Sequence, residues 1–87
     1  MERHMKLIYL ILDHAARNIT RGEVSVPQDL GEYTDTQIHY HVGLCVQAGY
    51  LRATGTVRTD GLGRFKGLAG LTWDGHEALD ELRSQYG

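Results

Sequence analysis

The stretch from Tyr33 to Leu51 contains the start, the body and the stop of one helix, and it constrains the chain more than any other segment. Thr34 followed three residues later by Gln37 is a capping box. The hydroxyl can accept from the Gln37 N–H while the Gln37 amide reaches back to the Thr34 N–H. Tyr33 and Ile38 occupy the two positions of a hydrophobic staple around that cap. At the far end Gly49 can take the left-handed conformation that closes a helix, with Tyr50 folding back toward Cys45 or Leu44. Inside these limits Ile38, His41 or Val42, Cys45 and Ala48 fall on one stripe, which packs. Asp35, Thr36, His39, Tyr40, Gly43 and Gln47 point elsewhere.

The rest of the chain arranges itself around this helix. From residue 3 to 19, Met5, Ile8, Leu12, Ala15 and Ile19 recur at helical spacing, with Leu7, Ile11 and Ala16 alongside, and Thr20 to Gly22 stop the helix. Glu23 to Val26 alternates between Gly22 and Pro27 and reads as a short strand. Gln28 to Glu32 leaves room for one helical turn at most. After Gly49, Tyr50 to Arg58 is rich in β-branched and aromatic residues, with Leu51, Ala53 and Val57 on one parity. Thr59 to Gly63 holds an Asp-Gly turn, and Arg64 to Leu71 returns as the partner strand. Thr72 caps a final helix with Asp74 in its first turn and Ala78, Leu79, Leu82 and Tyr86 on its apolar face.

This order predicts an α+β fold: a winged helix-turn-helix with an abbreviated second helix, a β-hairpin wing and a C-terminal helix. A chain of 87 residues accommodates it as a single domain spanning residues 1–87. The longest apolar run, Leu7 to Leu12, is too short to span a bilayer, so no membrane association is expected. The single cysteine, Cys45, cannot form an internal disulfide, and a cytoplasmic location follows by default. On the packed stripe that thiol is expected as a small apolar filler.

The wording of the chain also carries a resemblance. Ala48-Gly49-Tyr50-Leu51 resembles the end of the recognition helix in many bacterial regulators, and Leu71-Thr72-Trp73-Asp74-Gly75 their step out of the wing. Met1-Glu2-Arg3-His4-Met5, Tyr33-Thr34 through Gln37-Ile38-His39-Tyr40-His41, and Leu71-Thr72-Trp73-Asp74-Gly75-His76-Glu77 together resemble a domain-of-unknown-function family. Its short bacterial and phage proteins open M-K-R-D-M and close L-T-W-E-G-H-E. The resemblance implies a winged-helix fold and a prophage or mobile-element setting. It brings no activity or site residues.

Chemistry is sparse. His76-Glu77-Ala78-Leu79-Asp80 misses the helical zinc signature because Asp80 stands at the second ligand position. His39 and His41 face different sides of a helix and do not chelate one ion. Gly61 to Gly67 misses the spacing of a phosphate-binding loop and is better explained by turn chemistry. The expectation is a non-enzymatic protein without metal or cofactor. Trp73 is expected as a core plug at the strand-to-helix junction, with an exposed anchor for a protein partner as the alternative.

Charge separates two functional readings. Residues 22–49 carry Glu23, Asp29, Glu32 and Asp35 with no Lys or Arg. Residues 50–68 carry Arg52, Arg58, Arg64 and Lys66 against Asp60, a local +3. The first reading is DNA binding led by the wing, with Arg58, Arg64 and Lys66 on phosphates or in the minor groove and Thr36, Gln37, His39 and Tyr40 donating and accepting from the helix. The alternative is a protein-interaction module, self-associating or docking on a phage or host protein, with Asp29, Glu32, Asp35 and Tyr40 as the contact surface. The missing Lys or Arg on the capped helix argues against deep reading of the major groove.

Overall fold

Five apolar residues at helical spacing, Leu7, Ile8, Ile11, Leu12 and Ala15, form the buried side of the first helix, α1, which spans Met5–Asn18 in a computed structural model of the chain. The structure describes residues 3–18, 24–27, 30–56 and 64–87, leaving aside the side chains of 24–25, 54–56 and 64–66. Met5 and Ala16, expected on the packed side, are exposed because they flank the buried arc. Ile19 and the helix stop at Thr20 to Gly22 lie outside the described residues.

A two-residue strand β1, Val24–Ser25, follows. Val26 and Pro27 are buried, and Gly31-Glu32 makes a turn closed by the Tyr33 N–H donating to the Leu30 carbonyl at 3.4 Å. Among the described residues this turn stands where a full second helix would otherwise be.

Helix α2 spans Asp35–Gln47. Its cap is the expected one: the Gln37 N–H donates to Thr34 Oγ1 at 3.2 Å, and the Thr34 N–H donates to Gln37 Oε1 at 2.8 Å. Its end is a Schellman motif, with the Tyr50 N–H donating to the Cys45 carbonyl and the Gly49 N–H to the Val46 carbonyl. Gly49 has φ +79°, a conformation that glycine adopts without cost. Ile38, His41, Val42 and Cys45 are buried. Ala48 is exposed instead, since it is the cap residue where the chain turns off the stripe.

The hairpin consists of β2, Leu51–Thr56, and β3, Arg64–Leu71. All pairs are antiparallel, in the order β1-β3-β2. Two register shifts let the eight residues of β3 pair with the six of β2. Arg52 faces Gly70 while Ala53 faces Leu68, and Thr54 faces Gly67 while Gly55 faces Phe65. Ala69 and Lys66 are therefore the extra residues of two bulges. The first of them puts Leu68 and Leu71, three apart in sequence, opposite Ala53 and Leu51, which are two apart. Regular alternation could not set both pairs on one face.

Helix α3 spans Trp73–Tyr86 and buries Gly75, Leu79 and Leu82. It lies along α1, where Asp13 accepts from Arg17 at 2.9 Å and Arg83 at 3.3 Å and Tyr9 stacks on Tyr86 at 6.2 Å. One core unites the parts: Leu7, Ile11, Leu12, Ile38, Val42 and Leu68 are all fully buried. Each such side chain contributes about 1.5–3 kcal/mol of transfer free energy. Three helices and an antiparallel hairpin in this order are an α+β layout consistent with a winged helix.

Candidate nucleic-acid interface

Helix α2 and the hairpin that follows it carry the residues expected to contact DNA. On α2, Thr36 stands exposed in the first turn. The other three helix positions are already engaged. The Gln37 side-chain oxygen Oε1 accepts from the Thr34 N–H in the cap. His39 Nε2 lies 3.6 Å from Asp35 Oδ1 with its side chain only 11% exposed. Tyr40 sits edge-on to the His41 ring at 5.4 Å. The first turn carries an acid, Asp35, and the last turn no base. Arg58 lies outside the described residues. Arg64 opens β3 and Lys66 occupies its second bulge, so their backbones stand on the hairpin, whereas their side chains lie outside the described set. Arg52 is exposed on β2.

A buried polar contact joins α2 to the residues just ahead of α1. His41 is fully buried, and the His4 backbone N–H donates to its Nε2 at 2.9 Å. A backbone N–H can only donate, so Nε2 is the acceptor and the proton sits on Nδ1, which donates to the Gln37 carbonyl at 2.7 Å. His4 also lies 5.9 Å from the Tyr33 ring and 5.6 Å from that of His41. The start of α1 is thus tied to α2 through one imidazole. A separation of 37 residues gave no sequence signal for this bond.

Trp73 overturns the core-plug expectation. It is 80% exposed, and its Nε1–H donates to Glu77 Oε1 at 3.0 Å. A helical wheel carries the reason: Gly75 and Leu79 face the core, and Trp73 lies about 200° from Gly75 at 100° per residue. Thr72 is the cap and accepts from the Gly75 N–H at 3.0 Å, as expected. His76 is exposed.

Cys45 is buried, as expected for a filler, and desolvation pushes its thiol pKa from 9.0 up to about 12. At mildly alkaline pH this suppresses the thiolate roughly a thousandfold. A colour-forming disulfide reagent is therefore expected to titrate Cys45 slowly in the native protein and at once in denaturant. Because the folded thiol holds its proton to higher pH than the unfolded one, its contribution to stability is complete below about 9 and falls away as pH rises from there toward 12. Equal labelling rates in both states would refute the buried placement.

Among the described residues no group of three or more His, Cys, Asp or Glu side chains can hold a metal ion. No helix among them is long and apolar enough to cross a membrane. Residues 2–86 match the family described as "Hypothetical protein (DUF2513)". No curated protein and no solved structure matches the chain.

Proposed function

We propose that this chain, which belongs to the DUF2513 family, is a non-enzymatic winged-helix module that binds DNA through its hairpin, acting in the cytoplasm in a prophage or mobile-element setting. The observation that carries the reading is the layout. The hairpin follows directly from the closed end of α2; Arg52, Arg64 and Lys66 belong to its strands, and Arg58 stands between those strands in sequence. Wing-led contact also agrees with α2, where an acid occupies the first turn and three of four polar candidates already have partners. Arg58, Arg64 and Lys66 supply phosphate or minor-groove contacts, and Thr36 is the side chain of α2 best able to meet a base edge, with Gln37, His39 and Tyr40 orienting that turn. Layout supports DNA binding by analogy between folds. The acidic face offers a protein partner less, since Asp35 engages His39 and Tyr40 leans on His41, while Asp29 lies outside the described residues.

A mobility-shift titration on random-sequence duplex at low salt tests this directly. Binding should weaken steeply with salt. Replacing Arg58, Arg64 and Lys66 together with Ala should reduce the slope of log affinity against log salt by about 2.7, near 0.9 for each phosphate no longer neutralised. Thr36→Ala should alter preference among sequences and leave that slope unchanged. Absence of any complex up to high micromolar protein would sink the proposal.

A further inference from the structure

A groove of about 330 Å³ runs between the start of α1 and the end of α2, lined by Met5, Ile8, Leu44, Cys45, Ala48 and Tyr50 with Arg3 and Gln47 at its polar margin. Its wall is continuous with the start of α3. The Thr72 N–H donates to the Tyr50 carbonyl at 3.0 Å, the Thr72 hydroxyl donates to the Gly49 carbonyl, and Gly75 abuts the Tyr50 backbone. Trp73 therefore springs from beside the groove without filling it, since its ring is 80% exposed. Of the four large apolar side chains exposed among the described residues, Met5 lines the groove, Val46 lies between two lining residues in sequence and Trp73 stands beside it.

We infer that this face binds a second copy of the chain, with Trp73 of each copy seated in the groove of the other. Charge complementarity selects this occupant. The groove is lined by Arg3, just ahead of α1, and by no acid, whereas the first two turns of α3 around Trp73 carry Asp74, Glu77 and Asp80 and no Lys or Arg. Plug and rim thus have opposite signs, and both are on one molecule, which is the self-complementarity that a two-fold interface requires. Trp73 is also ready for burial. Glu77 already satisfies the indole N–H and fixes its rotamer, so little polar desolvation or ordering opposes docking of the ring.

Area sets the strength. A standard interface covers about 800 Å² on each partner, roughly one seventh of this chain's 5598 Å². Two tryptophans, each burying on the order of 200 Å², with a narrow surround fall short of that. An interface this small belongs with weak, transient encounters.

Sedimentation equilibrium of the full chain without nucleic acid tests the inference separately from DNA binding. The expected result is a monomer at low micromolar concentration moving to a dimer at high micromolar. Emission from Trp73, the sole tryptophan, should shift to shorter wavelength over the same range. Trp73→Ala, on an exposed side chain, should keep the helical circular dichroism and melting temperature and abolish the dimer. Arg3→Glu should weaken it at least tenfold, and adding Asp74→Arg should restore it. A strict monomer at all concentrations, a dimer that survives Trp73→Ala, or no rescue by the charge swap would overturn the inference.

Discussion

Replacing Gly75 with Ala is expected to lower the stability of the protein by about 2–3 kcal/mol, even though alanine is the better helix former. The added methyl would lie 2.8 Å from the Tyr50 carbonyl carbon and 3.1 Å from its Cα, and closer still to the carbonyl oxygen. Alanine in place of glycine gains at most about 1 kcal/mol of helix propensity. Overpacking of this kind costs about 1–3 kcal/mol when side chains can yield, and more when they cannot. Here the obstacle is backbone that already accepts the Thr72 N–H, so α3 as a whole must move. The clash wins. For a domain of this size each kcal/mol lowers the melting temperature by about 4–8 °C, so a thermal melt should show a fall of roughly 8–24 °C. His76→Ala, one residue on and exposed, should leave the melt unchanged. A Gly75→Ala protein as stable as its parent would mean that α3 does not lie on Tyr50.

The second large effect belongs to His41. His41→Ala removes a fully buried ring and leaves the His4 N–H without its acceptor. Truncation of a large buried side chain costs about 2–5 kcal/mol, and an orphaned donor about 1–3 more, so a loss on the order of 4–5 kcal/mol is expected in urea denaturation. That is a large part of the stability of an ordinary domain. His41→Phe separates the two contributions: it restores bulk without an acceptor and should cost only about 1–3 kcal/mol. Should His41→Ala prove harmless, the tie between α1 and α2 is not made by this imidazole.

Much of the architecture was legible because it is written in local chemistry. Thr34 with Gln37, Gly49 after the last buried turn, and Thr72 before Trp73 each mark a boundary through a hydrogen bond spanning a few residues, and all three occur as expected. The apolar rows of α1 and α3 were equally plain, apart from Met5 and Ala16 at the edge of the buried arc and Tyr86, 43% exposed at the chain's end.

What escaped the sequence depends on tertiary partners. The bulges at Lys66 and Ala69 are backbone events without an obligatory residue, so alternation alone does not say which positions of β3 share a face. Trp73 was placed in the core by its size, although its position after Thr72 turns it outward. Of the candidate DNA contacts, Gln37 could be seen as a cap residue from the outset, but the pairing of His39 with Asp35 and of Tyr40 with His41 needs rotamers to appear. Arg58, Arg64 and Lys66 are fixed as a basic group by sequence alone.

The two extra residues in β3 have a consequence for solubility. Among the described residues only Val24 and Ser25 pair with the outer side of β3, and β2 pairs on one side alone, so the ladder is open along both margins. A ribbon that coils at two points is a poor template for another chain to extend, because a straight newcomer loses its ladder within a few residues. An open-sided flap bent at two points is thus a weaker seed for fibres than a straight one.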